Sequence, residues 1–295
     1  MIKRSLFFTS AVSLSLKNAQ IVISFKENER EKTTIPIEDV GYVILENQQI
    51  IITLPLLNAL IDNNVALIVC DRNFMPHCQL QPLSANTTQA ECYKNQIKAS
   101  EPLKKNLWKQ VVEAKIENQS KLLLKLGKDG NLLKPFFKSV KSGDSENKEG
   151  LAARLYWKEL FPNFVRNSGG EDFINAFLNY GYTILRAAVA RSLMGSGLYP
   201  AFGIFHRNRY NAFPLADDIM EPYRPYVDEL VYHLVEKGEI EINTKNKSEL
   251  IKILTQDVLF DSIKRPLDIG LTTTTSSLVK CFAGESKKLL YPRIK

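Results

Sequence analysis

The sequence predicts an α+β protein: a small β-rich, sandwich-like N-terminal domain over residues 1–84, then a larger all-α domain over residues 88–295. Three observations carry that reading. Up to about residue 83, short β-branched and aromatic runs alternate with turn residues, as strands do. Beyond a linker, Gln81-Pro-Leu-Ser-Ala-Asn86, apolar residues recur with a helical period of about 3.6. At 295 residues the chain also exceeds the usual size of one domain, so two cores are expected.

Taken in order from Ile2, Leu6–Phe8, Ala19–Phe25, Thr33–Ile37, Gly41–Leu45 and Val65–Cys70 read as strands. Leu54–Asp62 reads as a short helix closed by Asn63-Asn64. The second domain reads as helices over Thr88–Gly127, Lys148–Leu160, Glu171–Met194, Glu221–Glu236 and Lys247–Phe260. Lys138–Lys148 is rich in Ser, Gly and Lys and is expected to be a mobile loop. The tail Thr272–Lys295 mixes Thr and Ser with Lys and is expected to order only on DNA or a partner.

Hydrophobic content of 44% and charge of 24% describe an ordinary globular protein. Apolar runs such as Ile50–Leu57, broken by Thr53 and Pro55, fall short of the roughly 20 residues that span a bilayer, so no membrane association is expected. The basic, partly apolar start is interrupted at Lys17 and Asn18 and reads as a first strand rather than a leader, which favours the cytoplasm. Cys70, Cys78, Cys92 and Cys281 form no CxxC pair and read as reduced thiols.

The net charge of +7 is localised. Residues 94–141 hold 12 Lys+Arg against 4 Asp+Glu, whereas residues 142–295 hold 20 against 19. Such a block attracts a polyanion by releasing its counterions, although lysines at this spacing also describe any solvated helix face.

The chemistry concentrates in His206–Pro225, where one of three histidines is followed by Asp217, Asp218 and Glu221. Asp218 and Glu221 are three residues apart, so a helical turn points both to one side, where a fold-back brings His206. One imidazole with carboxylates suits Mg2+ or Mn2+ better than a closed zinc site. A solvated acidic turn opening a helix is the other reading. In Glu171–Met194 the residues Phe173, Ile174, Phe177, Leu178, Leu185, Ala188, Val189 and Leu193 form an apolar face. Asn175, Asn179, Tyr182 and Arg186 form a polar stripe beside it, either a cleft wall or a partly exposed edge. Glu149 sits in the first turn of a helix expected to pack through Ala152, Leu155 and Tyr156, where an acid also simply suits the helix dipole.

Four segments match one family in order: Glu149 with Gly150-Leu-Ala-Ala-Arg-Leu-Tyr-Trp157; Asn175-Ala-Phe-Leu-Asn-Tyr-Gly-Tyr-Thr-Ile-Leu-Arg186; Gly197-Leu-Tyr-Pro-Ala-Phe-Gly-Ile-Phe-His206; and Leu215-Ala-Asp-Asp-Ile-Met-Glu221-Pro-Tyr-Arg-Pro225. Together they resemble the CRISPR adaptation integrase, the first of the Cas proteins ("Cas one"), most closely over residues 145–235. The details His206-Arg-Asn-Arg-Tyr-Asn-Ala-Phe213 and Ala216-Asp-Asp-Ile-Met-Glu221 are similar to the type II branch. Relatives outside that branch often carry Asp where Glu221 stands, a swap that keeps the ligand chemistry.

The resemblance implies a divalent-metal-dependent DNA endonuclease and transesterase. It joins the 3′-hydroxyl ends of a short foreign duplex to the repeat of a CRISPR array, in antiviral defence. It implies Glu149, His206 and Glu221 as catalytic metal ligands, a homodimer formed through the N-terminal domains, a small ferredoxin-like partner ("Cas two"), double-stranded DNA as protospacer and repeat, and association with the type II effector nuclease. Asp218 is then either an outer ligand or the acceptor that orients His206, unless it only caps the following helix. Arg224 suits a carboxylate or a phosphate, and Asn175 and Tyr182 would line the cleft. A metal-dependent, structure-selective DNA or RNA nuclease without joining activity is the alternative, and a noncatalytic nucleic-acid scaffold a third. His77, His233, Trp108 and Trp157 read as structural; neither Ser168-Gly-Gly-Glu171 nor Gly127-Lys-Asp-Gly130 has a phosphate-loop context.

Overall fold

A computed structural model describes residues 3–25, 32–82, 84–170 and 172–295. Ile2, Leu83 and Glu171, which the sequence places in the strand-rich stretch, the linker and a helix start, lie outside the described residues. The chain divides into two compact units, residues 1–83 and 84–295. Among the described residues no helix is long and apolar enough to cross a membrane.

In the first unit, β1 (Arg4–Phe8), β2 (Val12–Lys17), β3 (Gln20–Phe25), β4 (Thr33–Pro36), β5 (Val40–Leu45), β6 (Ile51–Ile52), α1 (Leu54–Asp62), β7 (Ala66–Cys70) and β8 (Pro76–Leu80) follow in order. They build two four-stranded sheets, β1-β5-β7-β8 and β4-β3-β2-β6. β2 and β3 form a hairpin closed by Asn18-Ala19 at φ 50° and 56°, the left-handed pair that matches strand twist. Val12, Leu14, Ile21 and Ile23 of one sheet and Val43, Leu45 and Leu67 of the other bury in one core with Leu56 and Leu60 of α1. Each such aliphatic side chain contributes about 2 kcal/mol. Three strands lie outside the sequence reading, the two-residue β6 among them. β2 carries the period-2 signal in Val-Ser-Leu-Ser-Leu. β8 is an edge strand that starts at a proline and exposes His77 and Cys78, so it has no apolar pattern to read.

The second unit contains α2 (Gln89–Lys98), α3 (Glu101–Lys125), α4 (Lys134–Phe137), α5 (Lys148–Leu160), α6 (Phe173–Gly195), α7 (Pro214–Met220), α8 (Arg224–Glu236), α9 (Thr244–Ile251), a β9 (Asp257–Phe260) and β10 (Ile263–Pro266) hairpin, and α10 (Leu267–Phe282). The α+β class stands, with a mostly helical second unit that is not all-α: the expected helix Lys247–Phe260 ends at Ile251, and Asp257 begins β9. The expected helix Thr88–Gly127 is two helices, because Ser100 caps a new start by accepting the Leu103 N–H, followed by Pro102. Prolines also segment Glu221–Glu236: α7 opens at Pro214, Glu221–Tyr223 is a 3₁₀ turn holding Pro222, and α8 resumes at Arg224-Pro225.

α6 buries Phe177, Leu178, Leu185, Ala188, Val189 and Leu193, the face the sequence assigns to it. On α5, Ala152, Tyr156 and Leu160 are buried while Leu155 stays 39% exposed, so the packing face lies one residue off the expected one. The tail is a larger correction. Thr272–Phe282 belongs to α10, and the chain beyond it is tied to α3: Asn118 Nδ2 donates to Pro292 O, Ile294 N donates to Asn118 Oδ1, and Leu289 N donates to Gln110 Oε1. Leu289 and Ile294 are buried. The order comes from contacts distant in sequence, which composition does not reveal.

Candidate metal centre

Glu149 is placed by an ordered turn rather than by the mobile loop expected over Lys138–Lys148. Asp144 Oδ1 accepts the Lys148 N–H at 2.8 Å, Asp144 Oδ2 accepts the Glu149 N–H at 3.1 Å, and Asn147, itself left-handed at φ 52°, caps Gly150 N. Three of the orphan amides of α5 are thereby satisfied. Glu149 then stands in the first turn with its side chain mostly covered, 23% exposed.

Glu221 sits where α7 gives way to the Pro222 turn, and its side chain is 5% exposed. Lys115 of α3 lies between the two acids: its Nζ is 2.6 Å from Glu149 Oε1 and 2.6 Å from Glu221 Oε2. On its other oxygen, Glu221 has Arg224 Nε at 2.9 Å. Burial disfavours the charge on Glu221, but Arg224 and then Lys115 outweigh it and hold the carboxyl below its usual range. Lys115 mirrors this: burial pulls its ammonium down, and Glu221 and Glu149 more than restore it.

His206 is oriented from behind. Its Nδ1 lies 2.6 Å from Asp218 Oδ1, and the same buried carboxylate accepts the backbone N–H groups of Ile204 at 2.7 Å, Phe205 at 3.1 Å and His206 at 3.1 Å. Gly203 makes the wrap possible, since a Cβ there would stand 2.8 Å from His206 O and 2.9 Å from Asp218 Oδ2. Phe205 stacks on Trp108 at 4.1 Å, and His206 meets the same indole edge-on at 5.7 Å. The hydrogen bond that His206 donates to Asp218 raises the His206 pKa above 6.5 against the opposing effect of burial. With the proton of the neutral ring on Nδ1, Nε2 keeps its lone pair for a ligand. Burial lifts the Asp218 carboxyl, yet four converging donors favour its ionised form.

The donors therefore stand in two assemblies. Glu149 and Glu221 close around the Lys115 ammonium, and His206 closes on Asp218 while remaining near enough to Glu221 for their charges to interact. Among the described residues no three His, Cys, Asp or Glu side chains converge on one point. The donor types fit a hard divalent ion, and a cation already stands between the two carboxylates. Glu221 Oε2 is buried, and the Lys115 ammonium is its partner as an ion pair rather than as a hydrogen bond of proper geometry.

The further expected residues divide. Arg224 binds a carboxylate, that of Glu221, and lies 4.6 Å over the Tyr182 ring. Tyr182 donates its hydroxyl to Asp228, as Tyr156 does at 2.7 Å, so Tyr182 faces the charged interior. Asn175 does not line a cleft. Its side chain is 1% exposed and fully used, accepting from Arg166 Nη1 at 2.8 Å and donating to Asp172 Oδ2 at 2.6 Å and to Val165 O at 3.1 Å. It ties the start of α6 to the preceding loop.

A family model described as CRISPR associated protein Cas1 matches residues 6–262. The chain belongs to the Cas1 family. It is 42% identical over 256 residues to the CRISPR-associated endonuclease Cas1 of Neisseria meningitidis serogroup C, covering 85% of this chain and 83% of the relative. A Cas1 endonuclease of Pyrobaculum aerophilum is 28% identical over 90% of this chain and 94% of its own. Among solved structures, a casposase bound to integration product aligns with a TM-score of 0.79 at 22% identity, covering 98% of this chain and 92% of the casposase. A Cas1 protein from Thermotoga maritima aligns at 0.73 and 19%, over 96% and 98%. The last two likenesses show the Cas1 fold, and the α+β architecture and family expected from the sequence both stand.

Two residues of this Cas1 site escape the sequence reading. Lys115 is one of twelve lysines in the basic block and reads as solvated. Its signal is its register: Trp108, Val111, Lys115, Asn118 and Leu122 recur at steps of three and four, so the lysine falls in an inward stripe. Trp108 reads correctly as core, but only the fold shows that it floors His206.

Proposed function

We propose that the chain is the metal-dependent integrase of CRISPR adaptation, an endonuclease and transesterase that joins the 3′-hydroxyl ends of short foreign DNA to the repeat of a CRISPR array. The observation that carries this reading is the pair of glutamates closed around a buried cation next to an imidazole oriented by a buried carboxylate. Glu149, Glu221 and His206 Nε2 would hold Mg2+ or Mn2+ once their side chains converge. Bound there, the ion neutralises charge developing on the phosphodiester and orients its oxygens. Asp218 keeps the proton of His206 on Nδ1 and fixes the ring through the Ile204–His206 backbone. Arg224 keeps Glu221 ionised and braced against Tyr182.

The same reading assigns duplex DNA as protospacer and repeat, a small Cas2-type partner, and dimerisation of two copies through the N-terminal unit. A type II system with its effector nuclease and a cytoplasmic setting complete the proposal. Support comes from membership of the Cas1 family and from the basic block at residues 94–141. Several of its lysines nevertheless make ion pairs within the unit, such as Lys125 with Glu229.

The test incubates the protein and its partner with a 3′-hydroxyl duplex and a supercoiled plasmid carrying the repeat, in Mn2+ or EDTA, beside His206→Ala. Joined products that need the metal and vanish in the variant are expected. Cutting without joining replaces the reading with a hydrolytic nuclease, and metal-independent binding alone leaves a scaffold.

A further inference from the structure

Lys115 is a buried lysine with an unusual position. Its ammonium contacts Glu149 and Glu221 at 2.6 Å each, its side chain is 12% exposed, and among the described residues it has no other anionic partner. Two glutamates face two cations, Lys115 and Arg224, and the buried Asp228 stands near enough for its charge to act on both cations. A divalent ion bound by the same carboxylates adds two positive charges to a largely desolvated cluster, where like charges a few Å apart repel strongly. An ion between the two carboxylates also needs the space that the Lys115 ammonium fills. Arg224 is held on two sides, by Glu221 Oε1 at 2.9 Å and by the Tyr182 ring at 4.6 Å. Lys115 is held only by the two carboxylates the ion would take, and its ammonium rides on a flexible four-carbon stem.

We propose that Lys115 is the resident counter-cation of the metal site, holding Glu149 and Glu221 in place of the divalent ion and being displaced when that ion binds. The inference rests on the metal-dependent reading above and goes beyond it. It explains why the three ligands do not converge as they stand: the ammonium spaces two of them, and convergence on an ion follows its departure. It also accounts for a site that keeps its acids together and neutralised before the ion arrives.

The experiment compares wild type with Lys115→Met, which keeps the length and apolar stem of the side chain without its charge, and with Lys115→Arg, which keeps the charge. Mn2+ affinity is measured by calorimetry, and the melting temperature is recorded in EDTA and in Mn2+. Lys115→Met is expected to melt lower than wild type in EDTA, because it leaves Glu149 without its cation and Glu221 with Arg224 alone. It is expected to bind Mn2+ on the order of tenfold more tightly, as removal of a competitor worth about 1.4 kcal/mol requires. Lys115→Arg is expected to show no gain. Amine labelling of the wild-type protein, read by mass spectrometry, keeps the proposal testable if Lys115→Met does not fold: Lys115 is expected to label slowly in EDTA and several-fold faster in Mn2+, with the other lysines unchanged.

Wild type that binds Mn2+ while Lys115→Met binds it no better, or labelling of Lys115 that Mn2+ leaves unchanged or slows, overturns the displacement and leaves the metal-dependent reading standing. Wild type with no measurable Mn2+ binding removes both.

Discussion

Asp218 Oδ1 lies 2.6 Å from His206 Nδ1, and the same carboxylate collects the N–H groups of three consecutive residues ending at His206. One buried acid therefore fixes the position of the histidine, the proton it carries and the loop that bears it.

Asp218→Asn separates these roles. The hydrogen bond that His206 donates to Asp218 raises the His206 pKa above 6.5, so the imidazole becomes available to a metal only as pH rises through that raised value. The sign for stability is opposite: the His206 contribution is fully present below the unfolded value and lost as pH rises through the folded one. Asp218→Asn is expected to shift the acid limb of the metal-dependent pH profile to lower pH. It should also lower the plateau rate by roughly 10- to 100-fold, the usual cost of a lost supporting partner. A pH profile of strand joining, with circular dichroism to confirm folding, checks both.

Gly203 has a narrower role. A methyl group there would press on His206 O and Asp218 Oδ2 at under 3 Å, with Pro214 Cβ at 3.0 Å. Gly203→Ala is expected to cost about 1–3 kcal/mol of stability and to depress joining well beyond what the lost stability explains, because the loop must lift off Asp218. Denaturant unfolding and the joining rate measured together separate the two effects.

Asp228 predicts a pH dependence of stability unrelated to the chemistry. Burial pushes its carboxyl from 3.8 up to about 6, against the hydroxyls of Tyr182 and Tyr156. A raised folded pKa means stability that is complete below 3.8 and is lost as pH rises through about 6. The wild-type unfolding free energy should fall across that window by on the order of 2–3 kcal/mol more than that of Asp228→Asn. Urea titrations at several pH values measure the difference in slope.

Deleting residues 289–295 tests the ordering of the tail. It removes the two tail partners of buried Asn118, leaving its bond to Pro222 O, and uncovers the apolar sites of Leu289 and Ile294. The expected loss is roughly 4 kcal/mol, read as a fall in melting temperature on the order of 10 °C without any DNA present. A tail that ordered only on DNA would leave the free protein's melting temperature unchanged.

The site was legible where chemistry shows in residue type. One histidine followed by carboxylates at helical spacing names its own donors, whereas Glu149 in a helix's first turn entered only through the family resemblance, since an acid there also suits the helix dipole. The assignment of Asp218 as the acceptor behind His206, one of three roles open in the sequence, matches the geometry. Asn175 misleads for a definite reason: a polar stripe looks the same whether it faces a cleft or anchors a loop. Leu155, one residue off the true packing face, shows how weakly a short helix fixes its own rotation.

The sequence by itself determined the change from strands to helices near residue 83, the inward face of α6, the family, and the acids and imidazole from which a metal site can be made. The first two follow from local periodicity, the last from residue chemistry, and the family from four segments that match it in order. Only the tertiary structure decided that Lys115 stands between Glu149 and Glu221, that Trp108 floors His206, that β9 and β10 form a hairpin, and that the tail returns to α3. All but the hairpin, which is a local pairing of Asp257–Phe260 with Ile263–Pro266, depend on residues from 34 to about 180 positions apart meeting in space, and such meetings are set by which buried surfaces complement one another rather than by any local pattern.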